Sequence, residues 1–274
     1  MVTVLPRCGL PLPVDVLADA KHSHCLTNTV YLPTIGRGRV IWHLGDTAAA
    51  RAEAGTQSYQ AFQRAASQRE PSYRGRGILT DGFDSTTKSL RTRFPGARLG
   101  NCLRHALTKL PKNLAAIASP VRKVVRSQFH PLLYQARQRR GLRVFALGQR
   151  LRRFADHVAT TAGAANGARV RRWGQDKKGG WSVVLADPQM PVTSPLLDQA
   201  HNALERKLCA MKGFPHPGGS QQAFLTGLAH LYTLVPSQRR AMHAGQWGVE
   251  VEGGRVPTAD WCLNLPSLTS GGFR

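Results

Sequence analysis

Residues 78–107, ILTDGFDSTTKSLRTRFPGARLGNCLRHAL, contain the most informative pattern of the sequence. The short apolar run at its start predicts a strand, and Asp81 follows directly after that run. Asp84 is a favourable N-cap for a helix over about 84–93, which the Phe-Pro-Gly sequence then ends. The next apolar run, ARLGNCL, predicts another strand. The stretch therefore predicts a strand–helix–strand unit with an acidic side chain at the end of its first strand.

Three further strands are predicted on the N-terminal side. Within 14–44, the runs VDVLAD, TVYLPTI and RVIWHLG are typical of strands, and Gly-Arg-Gly at 36–38 supplies a turn. Residues 46–68 are rich in alanine and predict a helix capped by Asp46 or Thr47. The resulting order βββ-α-β-α-β predicts a mixed α/β fold. It matches the ribonuclease H-like layout, in which three antiparallel strands precede alternating helices and strands.

The chain is strongly basic, and much of its positive charge lies in one region. It carries 38 Lys and Arg against 15 Asp and Glu, a formal net charge of +23. Residues 104–172 have apolar side chains at helical spacing, and residues 85–155 contain no Asp or Glu. Because a merely solvated helix face usually mixes signs, this region predicts contact with the phosphate backbone of DNA. The predicted DNA-binding residues are Arg122, Lys123, Arg126, Arg137, Arg139, Arg140, Arg143, Arg150, Arg152 and Arg153.

A second basic segment follows these helical patterns. Residues 169–181, RVRRWGQDKKGGW, predict a loop that contains Trp173 and Trp181. These two rings either stack on nucleic acid or pack inside the protein, and the sequence leaves both alternatives open.

Acidic residues at three places are candidates for metal-bound catalytic carboxylates. Asp19 follows VDVLA and Asp81 follows GILT, so a strand would fix the backbone beside each carboxylate. A helix predicted over 195–212 carries Asp198 and Glu205, which lie about 10.5 Å apart along its axis, so only one easily completes a compact metal pair. Mg²⁺ prefers oxygen ligands and needs no His or Cys. The alternatives are that Asp81 caps the following helix and that Asp19 is a solvent-facing strand end.

The order of these motifs resembles that of bacterial DDE transposases related to the Mutator-like superfamily. The central signature of that family is a strand, an Asp-Gly dipeptide, a helix, F-P-x-A and C-x-x-H. In this sequence its parts are Asp81-Gly82, Phe94-Pro95-Gly96-Ala97, and Cys102 with His105. LADAKH at 17–22 resembles the first catalytic strand, and VTSPLLDQAHNALERK at 192–207 resembles the block with the third acid. The resemblance extends over about 14–235 of the chain.

The resemblance implies a ribonuclease H-like mixed sheet with flanking helices and a helical insertion between the second and third catalytic acids. These acids would be Asp19, Asp81 and Asp198, with Glu205 as the alternative third acid. Two Mg²⁺ or Mn²⁺ ions, DNA strand cleavage and transfer at insertion-sequence ends, and homo-oligomers on DNA are also implied. The corresponding segments are 14–103 (first part of the core), 104–190 (basic helical insertion), 191–235 (C-terminal helices completing the core) and 236–274 (surface tail).

Several departures from the family pattern bear on activity. Ser194 replaces the usual Asn, Asp198 replaces the usual Glu, and Ala20 stands where relatives often have a second acid. Only 18 residues precede Asp19, so we expect the N-terminal DNA-binding region of the family to be missing. Two alternatives therefore accompany the transposase interpretation. One is a catalytically decayed, basic DNA-binding remnant, and the other is a ribonuclease H-like nuclease without strand transfer.

Cysteine and hydropathy patterns bear on metals and location. Cys102 and His105 permit a structural zinc site, with further ligands from KHSHC at 21–25, but C-x-x-H alone lacks the second ligand pair. We expect Cys102 and His105 to make packing and polar contacts near Asp81 instead. Five scattered cysteines argue against a disulfide framework. No apolar run approaches the length of a membrane span, so we expect a cytoplasmic, nucleoid-associated protein.

Overall fold

The computed structural model describes residues 8–25, 28–115, 117–138, 144–210, 219–236, 244–260 and 262–264. Their elements, in chain order, are β1 (Asp15–Cys25), β2 (Asn28–Arg37), β3 (Val40–Leu44), α1 (Ala52–Arg69), β4 (Gly77–Thr80), α2 (Asp84–Arg93), β5 (Arg98–Asn101), α3 (Leu103–Asn113), α4 (Ser119–Gln138), α5 (Val144–Ala162), α6 (Ala164–Ala186), α7 (Pro195–Ala210), α8 (Gly219–Leu234) and α9 (Gly248–Val251). The chain divides into two compact units. The first comprises 1–76, 84–97 and 195–274, and the second comprises 77–83 and 98–194.

The strands form a mixed five-stranded sheet in the order β3-β2-β1-β4-β5. β1 pairs antiparallel with β2, and β2 pairs antiparallel with β3. β4 and β5 pair in parallel, which requires a crossover connection, and helix α2 lies in that connection. The predicted element order up to β5 and the mixed α/β class are thereby confirmed.

The core of the first unit lies between its antiparallel strands and two C-terminal helices. Alternating residues of β2 and β3 meet the apolar faces of α7 and α8 because side chains alternate along a strand and recur every three or four residues along a helix. The buried cluster consists of Val30, Leu32, Ile41, Leu44, Ala200, Leu204, Leu208, Leu225, Leu228 and Ala229. On α7, this packing fixes which side chains remain on the other helix faces.

Helix α1 begins later than the sequence predicted. Its N-cap is Arg51, and no side-chain hydrogen bond caps it. The predicted cap Thr47 is wrong because its backbone is used elsewhere: its N–H donates to Tyr31 O (2.8 Å), and its carbonyl accepts from Tyr31 N–H (2.9 Å). This strand-like bridge holds the residues before Arg51 extended, so the helix cannot begin at Asp46 or Thr47.

The second unit combines β4 and β5 with four helices. Its buried residues include Leu110 of α3, Phe129 of α4, Leu147 of α5 and Trp181 of α6. Gly100 lets β5 approach α6 closely, because a Cβ there would lie 2.4 Å from Val184 Cγ2. A larger residue at this position would therefore push the helix away from the strand.

The loop predicted at 169–181 is wrong, since the whole segment lies within α6. Glycines and a run of like charges resemble loop composition, but the apolar residues of the segment line one side of a helix. Trp173 and Trp181 pack against each other, with ring centroids 5.2 Å apart, and both contact Phe129. The packing alternative for these two tryptophans is therefore the observed one.

The segment predicted as a surface tail contains the short helix α9. Trp247 and Val249 are buried, and α9 lies against α8. Among the residues described, no helix combines the length and apolar character needed to cross a membrane.

Candidate catalytic carboxylates and basic helices

Asp19 lies within β1 rather than at its end, because the strand continues to Cys25. The predicted strand end at Asp19 is therefore wrong. Its carboxylate Oδ1 accepts a hydrogen bond from the N–H of Ala20 (2.8 Å), and its carbonyl accepts one from Tyr59 Oη (3.3 Å). The side chain is 15% exposed, so a small ligand can reach the carboxylate although most of it is covered by protein.

Asp198 joins Asp19 in the first unit. It lies in the first turn of α7, and its carboxylate has an oxygen within 4.8 Å of an Asp19 oxygen. Two like charges at this distance repel each other, and a cation between them would remove that repulsion. Carboxylate oxygens are the ligands that Mg²⁺ and Mn²⁺ prefer, so these two side chains fit a divalent metal ion.

Glu205, the alternative third acid, has a different partner. Its Oε2 lies 3.0 Å from Lys21 Nζ, and both side chains are partly exposed. Lys21 follows Asp19 by two residues along β1, so the two acids of α7 meet β1 at two separate positions. The carboxylate beside Asp19 is that of Asp198.

His201 and Thr34 lie beside Asp19, and the sequence did not suggest either. Thr34 is the cross-strand partner of Asp19 and donates its hydroxyl hydrogen to Leu32 O (3.0 Å). Its Oγ1 must therefore accept from His201 Nε2 (2.9 Å), which leaves His201 Nδ1 facing Asp19 Oδ2 at 3.8 Å. A histidine three residues after an acid on the same helix is the one sequence signal that could have indicated this contact.

Replacing Thr34 with valine is expected to destabilise the protein by about 1–3 kcal/mol, since the buried Nε2–H of His201 would lose its acceptor. Thr34→Ser keeps the hydroxyl and should retain most of the stability. Urea unfolding of the two variants and the wild type measures the difference. Equal stability of the valine and serine variants would contradict the hydrogen bond between Thr34 and His201.

Asp81 lies in the second unit, in a tight turn after β4. Its Oδ1 accepts from Phe83 N–H (2.8 Å), and Thr80 Oγ1 accepts from Gly82 N–H (2.9 Å). Gly82 has φ +77°, a left-handed conformation that glycine adopts without strain. The Asp-Gly pair is thus explained by the turn, in which aspartate supplies an acceptor and glycine supplies the backbone angle.

A lysine from α3 neutralises Asp81. Lys109 Nζ lies 2.7 Å from Asp81 Oδ2 and 2.9 Å from Asp81 O. The carboxylate is only 14% exposed, and the ammonium is 35% exposed. A cation that binds at Oδ2 would have to displace this ammonium.

Cys102 and His105 form a polar cluster with Ser194. The thiol is 1% exposed, and the N–H of Cys102 donates to Thr80 O (2.7 Å), one residue before Asp81. Ser194 Oγ donates to Cys102 Sγ (3.4 Å) and lies 3.5 Å from His105 Nδ1. Burial disfavours the thiolate, but hydrogen bonds from His105 and Ser194 and the charge of His105 outweigh it and hold the pKa of Cys102 below its ordinary value. These packing and polar contacts are the ones that the sequence led us to expect.

The predicted DNA-binding residues are spread over α4 and α5. Lys123, Arg126, Arg152 and Arg153 are exposed, whereas Arg122 and Arg150 are half-buried. Arg137 lies on α4, and its side chain is outside the described part, as are Arg139, Arg140 and Arg143 entirely. Helix α6 adds exposed Arg169, Arg171 and Arg172, which lie in the segment predicted as a loop.

Arg171 of this group forms an ion pair with Asp156 of α5. Its charge is therefore partly neutralised, while the neighbouring exposed arginines extend the positive surface of the second unit.

Comparison of the chain with protein-family models finds no match, and comparison with curated proteins finds none either.

Proposed function

We propose that this chain is the catalytic part of a DDE-type transposase with a ribonuclease H-like fold, which cleaves and transfers DNA strands at insertion-sequence ends. The observation that carries the proposal is the approach of Asp19 and Asp198, whose carboxylate oxygens lie within 4.8 Å although the residues are far apart in sequence. The mixed sheet and the order of its strands are compatible with such a fold.

Asp19 and Asp198 would hold divalent metal, Mg²⁺ or Mn²⁺, through carboxylate oxygens. When bound in pairs, such ions activate a water for attack on a phosphodiester and stabilise the leaving 3′ oxygen. The protein's contribution is orientation: the N–H of Ala20 donates to Oδ1 of Asp19 (2.8 Å), and the ring of His201 lies 3.8 Å from Oδ2. A hydrogen bond to a carboxylate that ligates a metal orients it and raises metal affinity.

Asp81 would be the second acid by its resemblance to the family motif. Its Oδ1 is committed to the turn, so Oδ2 is the oxygen that remains for a metal, at the expense of the ion pair with Lys109. The backbone of the Asp81 turn has a further contact, because Lys177 Nζ donates to the carbonyl of Gly82 (2.8 Å). Metal binding at Oδ2 of Asp81 would replace the ammonium of Lys109 with a metal ion and leave these backbone contacts of the turn in place.

DNA would bind along the exposed arginines and lysines of α4, α5 and α6. The second unit has nineteen Lys and Arg in its sequence against four Asp, so its surface field is positive. A helical surface of one sign attracts the phosphate backbone with little regard to base sequence. Association with nucleoid DNA and assembly of several copies on DNA belong to this proposal.

The ion pair between Asp81 and Lys109 favours a second candidate function. A carboxylate that a lysine neutralises is not available to a metal until the lysine leaves, which suits a catalytically decayed DNA-binding remnant. Asp198 and Ala20, which depart from the family pattern, point the same way.

Incubation of the full chain with supercoiled plasmid, and with duplexes that carry a pre-cut 3′-OH end, tests the proposal. Nicking that requires Mg²⁺ or Mn²⁺, together with joining of the pre-cut end to a second DNA, is the expected result. Nicking without joining would identify a nuclease instead. If the chain binds DNA but neither nicks nor joins it with either metal ion, the result would identify a catalytically decayed DNA-binding remnant. The chelator EDTA in a parallel reaction is the control for metal dependence.

A further inference from the structure

The first unit contains a basic groove that none of the catalytic candidates lines. It lies between the C-terminal half of α1, the loop after that helix and the segment after α2, with a volume of about 980 Å³. This volume is in the range of small-molecule sites, which is about 300–1,000 Å³. Among the residues that the structure describes, its charged lining consists of three arginines, Arg64, Arg74 and Arg93, without an Asp or Glu.

Two of these arginines have unused hydrogen-bonding capacity. Nε of Arg93 is buried and has no hydrogen-bond partner within the part of the chain that the structure describes. Arg64 is exposed and makes no ion pair or hydrogen bond with any described residue. Arg74 differs, because it donates to the carbonyls of Pro71 (3.2 Å) and Tyr73 (2.8 Å) and so fixes the loop. The buried Nε of Arg93 is closed to solvent and to a ligand in the groove, so an anion there would meet the positive charge of Arg64 and Arg93 rather than this buried N–H.

Part of the wall of the groove is apolar, and the rest carries the polar side chains of Gln63, Ser67 and Gln68. Phe94, Pro95 and Ala97 line it, and Phe94 packs on Phe62 with ring centroids 6.3 Å apart. Tyr73 also lines it and donates its hydroxyl to Pro13 O (2.8 Å). Burial, with Glu70 and Asp15 nearby, raises the pKa of Tyr73 above its ordinary value, so the tyrosine adds no negative charge at neutral pH.

Cationic side chains beside an apolar wall suit a ligand that joins an anionic group to a ring system, as a phosphate attached to a sugar and base does. Guanidinium groups bind phosphate through paired N–H donors, whereas the apolar wall suits the ring atoms of a nucleotide. A bare anion would leave most of the groove unfilled. We propose that this groove binds the phosphate and adjoining nucleoside of a nucleotide unit, with Arg64 and Arg93 as the phosphate ligands. The site stands independently of the proposed transposition chemistry, because neither Asp19, Asp81 nor Asp198 lines it.

Binding of adenosine monophosphate to the full chain, followed by calorimetry, tests this site. Arg64→Gln and Arg93→Gln are each expected to weaken binding by about 10-fold, since each removes a charge-assisted hydrogen bond. Arg91→Gln is the matched control, because Arg91 lies on α2 two residues from Arg93, is exposed and does not line the groove. Arg64 is on the surface, so its variant should fold even where the Arg93 variant does not, and circular dichroism checks both.

Competition between adenosine monophosphate and an oligonucleotide shows whether the bound nucleotide unit is free or part of a single strand. If an oligothymidylate displaces adenosine monophosphate and loses affinity in the Arg64→Gln variant, the groove takes a unit of a single strand. If adenosine monophosphate binds and the oligonucleotide does not displace it, the groove takes a free nucleotide. Absence of saturable adenosine monophosphate binding in the wild type would overturn the proposal, as would an equal loss of affinity in Arg91→Gln. If the wild-type chain binds adenosine monophosphate but does not nick plasmid, that result would count against the proposed function alone.

Discussion

Asparagine in place of Asp19 is expected to abolish metal-dependent DNA cleavage and to leave DNA binding unchanged. Asparagine has nearly the same shape, and its carbonyl oxygen can still accept from the N–H of Ala20. The change removes one negative charge from the pair formed with Asp198. Metal ions contribute several kcal/mol to transition-state stabilisation, and about 4 kcal/mol corresponds to roughly 10³-fold in rate. The expected loss is therefore at least about 10³-fold.

Asp46→Asn is the matched control for this experiment. Asp46 is a half-buried aspartate of the same unit, and its replacement removes the same charge from the chain. Its variant should cleave DNA at the wild-type rate. Titration of Mn²⁺ provides a readout that does not depend on turnover, with weaker binding expected for Asp19→Asn and Asp198→Asn only. Wild-type Mn²⁺ affinity in both of these variants would show that the two carboxylates hold no metal.

Alanine in place of Phe129 is expected to destabilise the second unit by about 3–5 kcal/mol, the usual cost of removing a large aromatic side chain from a core. Phe129 is fully buried at the centre of an aromatic cluster from three helices. Its ring centroid lies 5.1 Å from Phe154 on α5, 5.5 Å from Trp173 and 6.3 Å from Trp181 on α6. No neighbouring ring can fill the space without leaving its own contacts, so a cavity would remain.

Phe145→Ala provides the comparison for Phe129→Ala. Phe145 lies on α5 of the same unit and is 72% exposed, so its truncation should change stability by no more than about 0.5 kcal/mol. Urea unfolding followed by circular dichroism measures both variants, since the second unit is rich in helix. Similar unfolding midpoints for the two variants would mean that the aromatic cluster does not organise the helices.

Local patterns predicted the elements that carry the candidate site. The apolar run before Asp81 forms β4, the Asp-Gly pair forms its turn, and α2 runs over the predicted residues 84–93. These features depend on neighbours in sequence: burial of four consecutive residues, a positive φ that glycine permits, and a following proline that ends the helix. Such features are readable without knowledge of the rest of the fold.

The sequence predicted other features wrongly, because contacts between residues far apart in the chain outweigh local composition. Thr47 bonds to Tyr31 and delays α1, and the glycine-rich segment 169–181 is helical because Trp181 and its neighbours have a core to enter. The contacts of His201 with Thr34 and Asp19 join three separate elements and left only a weak trace in the sequence.

Sequence patterns alone were sufficient to predict the basic character of the chain, the order of its first seven elements and the set of acids from which a metal site could be built. They could not choose between Asp198 and Glu205, because residues seven apart lie on nearly the same face of a helix. The packing of α7 shows which of the two lies beside Asp19. Leu204 and Leu208 are buried where α7 packs on β1 and β2, and this packing fixes the position of the helix along β1. In this position Asp198 lies beside Asp19, and Glu205 forms an ion pair with Lys21.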